Sequence, residues 1–259
     1  MPNPYLPPEI LDRVIDLLHD EPEILKRCCL VSKSWIPRTR KHLFASIMFP
    51  FEERLKSWKK TFPDPSISPA HHAKTLFVSC PQVVVAADAE AGGWITGFSR
   101  IVRLAVLTNR PFSFVPFRGI SPDLKSLRIL APVLPTSQLI GLVLSFPLLE
   151  DLDVHVTTSD GMSTDNDGGP DRPLTAVQPS SSPAFSGCLE LYMKGGMQPV
   201  THQLLSPPIG IHFRRLALAW YHEGDLLTTI TLVERCSHTL ESLIITDLSC
   251  TSIQHTLPY

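Results

Sequence analysis

The sequence predicts an α/β chain in which a short helical module precedes a parallel sheet built from a repeating coil. Three observations carry that expectation. A pattern of apolar, two residues, Leu, one residue, aliphatic recurs between residues 73 and 245. Apolar residues at helical spacing crowd residues 6–46. The 259 residues also hold 25 prolines against 13 glycines, about twice the usual proline share. Proline is excluded from helix interiors and central strands, so the elements must be short and often interrupted. A long coiled coil or a continuous helical bundle is thereby set aside. At 43% hydrophobic and 19% charged residues, the chain can bury a sizeable core, and wholesale disorder is excluded.

The N-terminal region reads as three short helices. The first opens at Pro7-Pro8, where proline suits the first helical turn, and Glu9 and Asp12 suit its positive end. Ile10, Leu11, Val14, Ile15, Leu17 and Leu18 recur at spacings of three and four, giving a wide apolar face. His19-Asp20-Glu21-Pro22 breaks that helix. A second carries Ile24, Leu25, Cys28 and Cys29. Ser32 caps a third, from Lys33 to about His42. Three helices in about 40 residues barely support a core of their own. The module is therefore either a cap on the following domain or a unit completed by a partner in a groove.

Leu6-Pro7-Pro8-Glu9-Ile10-Leu11, then Ile15 and Leu17-Leu18, then Leu30-Val31-Ser32-Lys33-Ser34-Trp35 together resemble an F-box over residues 5–46. The resemblance rests on all three segments occurring in order. It implies docking on the Skp-type adaptor of a cullin-RING (SCF-type) ubiquitin ligase, with the rest of the chain presenting a protein substrate. It also implies that Leu6, Pro7, Ile10, Leu11, Leu18, Leu30, Val31 and Trp35 are candidates for adaptor contact or for the core beneath it. Trp35 is expected to do both.

The repeat centres on Leu76, Leu104, Leu127, Leu152, Leu189, Leu216 and Leu243, at steps of 28, 23, 25, 37, 27 and 27 residues. Each copy places two side chains on one strand face. An apolar residue precedes it at Ala73, Ile101, Leu124, Leu149, Phe213 and Leu240, with Ser186 at the weakest copy. Helices are expected between strands at Ser137–Phe146 and at Asp225–Cys236, with Asp225 as an N-cap. Most prolines fall between strand signals, where tight connections need them. The spacing resembles leucine-rich repeats, without the regular Asn or Cys after the strand. It implies an irregular solenoid with a parallel sheet; an ordinary α/β domain is the alternative. The step of 37 contains an apolar-poor segment, 158–183, read as a flexible loop. The expected layout is 1–48 helical module, 49–70 linker and 71–259 solenoid. Only 14 residues follow Ile245, so the last coil is expected to be minimally capped or partly open.

Net charge is −2, with +3 in residues 1–60 and −5 in the remainder. No global field favours nucleic acid or an anionic membrane. Cys28, Cys29, Cys80, Cys188, Cys236 and Cys250 show no C-x-x-C spacing, so reduced thiols are expected. There is no secretory signal at the N-terminus and no apolar run of membrane-spanning length. A cytoplasmic or nuclear protein is expected.

Phosphate-loop, dinucleotide, zinc-protease and nucleophile-elbow motifs are absent from the sequence. His71-His72 reads as solvated, and a calcium-loop likeness around Asp165 and Asp167 lacks its downstream Glu. Asp151 and Asp153 read as the polar outer face of a strand. Lys56, Lys59, Lys60 and Trp58 read as solvated surface on a linker helix. No catalytic residue, metal or cofactor is expected. The function this implies is a non-catalytic substrate adaptor of a ubiquitin ligase, acting by proximity. The alternative is a repeat scaffold outside ubiquitination. An α/β enzyme would need a deep pocket with convergent polar groups.

Overall fold

Helix starts follow proline. Pro8–Leu17 (α1) and Pro22–Val31 (α2) each begin with Pro at an initial position and an acidic residue in the first turn, where neither the missing N–H nor the negative charge is penalised. The computed structural model describes residues 7–79, 93–109, 114–118, 120–156, 184–194, 196–206, 210–220 and 224–247. Leu6, the segment 158–183 with its calcium-loop likeness, Cys80 and Cys250 lie outside them.

The expected third helix is divided. Ser32 Oγ accepts from the backbone N–H of Ser34 at 3.3 Å, capping a 3-10 turn at Lys33–Trp35. Ile36–Leu43 (α3) then starts afresh with Pro37 in its first turn. Proline cannot continue the i→i−4 ladder, so it resets the helix there. Next come strand Ser46–Phe49 (β1) and helix Glu52–Thr61 (α4). The sheet thus begins ahead of the segment read as a linker, and its first strand pairs in parallel with Thr75–Val78 (β2).

The remaining strands are Arg103–Leu107 (β3), Ser126–Ala131 (β4), Asp151–Val156 (β5), Ala184–Phe185 (β6), Cys188–Met193 (β7), Gly210–Ile211 (β8), Arg215–Trp220 (β9) and Ser242–Asp247 (β10). Among the described residues the main sheet has eight strands in the order β1-β2-β3-β4-β5-β7-β9-β10, while β6 and β8 form a separate pair. Among the described residues every pairing is parallel. The chain is therefore a mixed α/β fold in which each coil lays its strand beside the one before. Helices Gly93–Thr96 (α5), Thr136–Val143 (α6), Gln198–Leu205 (α7) and Asp225–Cys236 (α8) lie among the connections.

The repeated leucines fall in one line across the sheet: Leu76, Leu104, Leu127, Leu152, Leu189, Leu216 and Leu243 are successive register partners. All but Leu243 are buried. With Val78, Val106, Ile129, Val154, Leu191 and Leu218 they face one core shared with Phe98, Phe117, Phe146, Leu142, Val200 and Leu232 from the connections. A strand period of two sends alternate residues to the opposite face, which is exposed or half-buried from β1 to β7, while at β9 its residues Ala217 and Ala219 are buried.

A second ladder fixes the stacking. Two consecutive N–H groups at the start of a strand donate to one carbonyl of the preceding coil. Lys74 and Thr75 bond Ala45 O, Val102 and Arg103 bond Lys74 O, and Arg214 and Arg215 bond Gly187 O. At β7 the pattern changes. Gly187 N–H donates to Glu150 O at 3.1 Å, but Cys188 N–H turns to the side-chain Oδ1 of Asp151 at 2.7 Å. A Cβ on Gly187 would collide with that carboxylate. The same coil moves its apolar anchor. Ser186 is exposed, and Phe185, fully buried, packs on Phe213 with ring centroids 5.1 Å apart.

The two ends differ. At the start, β1 is covered by Leu55 and Trp58 of α4, with Trp58 packed edge-on against Phe44 and Phe49. Trp58 therefore packs inward against the core and is not part of the solvated surface expected of it with Lys56, Lys59 and Lys60. At the other end, Leu243, Ile244 and Ile245 of β10 are all exposed. Helix α8 spans the expected residues, but Leu226, Leu227 and Ile230 face outward while Asp225 and Thr229 are buried. Asp225 is the first helical residue, with Gly224 at the N-cap. Its Oδ1 accepts from the N–H of Met197, ahead of α7, at 2.8 Å, so it ties two helix starts together rather than capping its own. Among the described residues no helix is long and apolar enough to cross a membrane.

Candidate functional site

Two surfaces carry concentrated chemistry. The first is the face of α1 and α2. The small core beneath it consists of Ile15, Leu25, Cys28 and Thr39. An ionic clamp joins α1 to α3: Arg38 donates through Nε to Asp16 Oδ1 at 2.6 Å and through its terminal nitrogen to Oδ2, and His42 Nε2 lies 2.7 Å from Oδ1. The Arg38 hydrogen bond, and after it that of His42, holds the Asp16 carboxyl far below its ordinary value. With the helices held this way, the apolar stripe points outward. Leu17 is 82% exposed, Leu30 86% and Val31 66%.

Of the sequence-selected residues, Pro7, Ile10, Leu30 and Val31 are exposed, while Leu11, Leu18 and Trp35 are half-buried. The selection omitted Val14, Leu17 and Ile24, which are exposed as well. The period alone could have flagged Val14 and Leu17, since both belong to the α1 stripe.

The second surface is the open face of the sheet. Register aligns Arg128 of β4, Asp153 of β5 and Glu190 of β7 in one row. The next row aligns Leu130, His155 and Tyr192. Arg128 Nε pairs with Asp153 Oδ2 at 2.8 Å, and His155 Nε2 lies 2.8 Å from Asp153 Oδ1. The His155 ring stacks on Tyr192 at 4.3 Å between centroids and 17° between planes. Burial raises the Asp153 carboxyl above its ordinary value; the charges of His155 and Arg128 oppose this, and that of Glu190 reinforces it. Cys188 donates to Glu190 Oε1 at 3.7 Å. Burial, then the Glu190 charge, pushes its thiol up to about 11, so it is protonated at neutral pH. Beside the cluster lies a hollow of about 190 Å³, lined by Phe77, Ala105, Leu107, Arg128 and Leu130.

The chain matches no protein-family model, no curated protein and no solved structure.

Asp151 and Asp153 do lie on the outward strand face, as their spacing predicts. Sequence reading missed Glu190, Arg128 and Tyr192, because their partnership with Asp153 and His155 crosses strands and has no local spacing. His71 and His72 sit in a 3-10 turn at Pro69–His72, with rings 3.9 Å apart and His71 Nδ1 bonded to Ser68 O at 2.8 Å. Burial, then the neighbouring His71, lowers the pKa of His72.

Proposed function

We propose that this protein is a substrate-recognition subunit of a cullin-RING ubiquitin ligase. In this reading α1 and α2 dock on a Skp-type adaptor, which joins the chain to a cullin. The repeating coils, read as a degenerate leucine-rich-repeat solenoid, hold a protein substrate. The observation that carries the reading is the exposure of large apolar residues, Leu17 on α1 and Leu30 and Val31 on α2, on a module too small to need a second exposed face. All three belong to the F-box-like segments. Catalysis would come from proximity: a bound substrate raises the effective concentration of its lysines near a charged enzyme.

Full burial of a leucine stabilises by about 1.5–3 kcal/mol, or roughly tenfold or more in affinity. Capture of a purified Skp-type adaptor by wild type and by Leu17→Asp/Leu30→Asp tests the proposal. Both positions are solvent-facing, so the double variant keeps its Tm. The expected result is capture by wild type and none by the variant. Equal capture by both, or none by wild type, overturns the reading.

One observation favours a second reading, a scaffold capped by its helices. Ala45 O accepts from both Lys74 and Thr75, joining the helical module to the sheet by its backbone. A wild-type chain that captures no adaptor, yet loses cooperative unfolding when residues 1–44 are deleted, would support that scaffold.

A further inference from the structure

We propose that Asp153, His155 and Glu190 form a binding site for a divalent first-row transition ion of the Zn²⁺ class on the open face of the sheet. One imidazole nitrogen and two carboxylates, each offering one donor atom, lie within 4.8 Å of one another. An imidazole with carboxylates suits zinc and its neighbours better than calcium or magnesium, which take oxygen ligands.

The donor atoms are placed for an ion. Zinc bonds to nitrogen and oxygen are about 2.0–2.1 Å long, so tetrahedral donors stand about 3.3 Å apart and right-angled donors about 2.9 Å. Asp153 Oδ1 and His155 Nε2 are 2.8 Å apart, just inside the right-angled spacing, and Glu190 offers an oxygen within 4.8 Å of both. A second observation points the same way. Both of those atoms are shielded from solvent, and neither makes a hydrogen bond of acceptable geometry despite their closeness. Buried polar atoms are rarely left in that condition, and an ion between them would satisfy both.

The surroundings supply orientation. Tyr192 stacks on the His155 ring and holds its plane. Arg128 occupies the other Asp153 oxygen, Oδ2, leaving Oδ1 for the ion. Such outer partners commonly tune affinity in metal sites. Two carboxylates against one guanidinium keep the cluster net negative before an ion arrives.

Calorimetric titration of the chelator-stripped full chain with ZnCl₂, in phosphine-reduced buffer, tests the site. Wild type is compared with His155→Ala and the near-isosteric Glu190→Gln, each also in a Cys188→Ser background because that thiol donates to Glu190 Oε1; ions held by the other cysteines are common to all. Wild type should bind one equivalent that each variant loses or binds about tenfold or more weakly. Its Tm should also rise with ZnCl₂ by an increment that Glu190→Gln lacks. Both side chains lie on the solvent-facing side of the sheet, and metal-free melting checks the fold. If His155→Ala is misfolded, Glu190→Gln alone decides. Superimposable isotherms, with the same ZnCl₂ shift in every chain, overturn the proposal.

Discussion

Gly187→Ala should destabilise the fold, although alanine is ordinarily the better residue for a chain to carry into folding. A Cβ there would lie deep inside contact distance of Asp151 Oδ1, and 3.0 Å from both Asp151 Cγ and Glu150 O. The Glu150 carbonyl accepts the Gly187 N–H and has little freedom to move. The carboxylate can swing away only by giving up its 2.7 Å bond from Cys188 N–H. A hydrogen bond to a charged group contributes about 1.5–3 kcal/mol. Against that, alanine restricts the unfolded chain, a gain of about 0.4–1 kcal/mol. The balance is a loss of about 1–2 kcal/mol, or roughly 2–8 °C in Tm for a chain of this size. Urea denaturation followed by circular dichroism measures it. A double-mutant cycle isolates the cause: in an Asp151→Ala background the substitution should cost much less. A stabilised Gly187→Ala protein, or the same penalty with and without the Asp151 carboxylate, would refute the reasoning.

The shifted anchor of the same coil gives a paired test: Phe185→Ala should cost about 3–5 kcal/mol, as for a fully buried aromatic, while Ser186→Ala leaves urea midpoints nearly unchanged. Asp225→Ala should cost about 1.5–3 kcal/mol in the same assay, through loss of the Met197 N–H bond. The Asp16 clamp predicts a pH signature. Because the folded carboxyl titrates below its unfolded value of about 3.9, its contribution is present above that value and is lost as pH falls through the folded one. The stability gap between wild type and Asp16→Asn should therefore hold across neutral and mildly acidic pH and close only below about pH 4, as followed by thermal melts.

Alternation and proline placement are local properties of the chain, so the α/β class, the parallel sheet and the line of seven leucines could be read without coordinates. A leucine recurring every coil needs no knowledge of its neighbours to announce a buried strand face. The same holds for the opening of α1 at Pro8 and for the full span of α8. Other features lay beyond that reach. Whether Leu17, Leu30 and Val31 face a core or solvent depends on how α1, α2 and α3 pack, and the Asp16–Arg38–His42 clamp that joins α1 to α3 spans more than 20 residues of sequence. Ser186 was the weak copy of the pattern because Phe185 had taken its place, a substitution visible only once Phe213 stood beside it. Glu190 joins Asp153 and His155 because β7 pairs with β5 across the longest step of the repeat. The sequence by itself determined the seven strands centred on the repeated leucines and, for all but the last of them, which side would be buried, since those follow from spacing along one segment. Only the tertiary structure decided what meets on the open face, because neighbours across a parallel sheet are brought together by register, and register belongs to the whole stack.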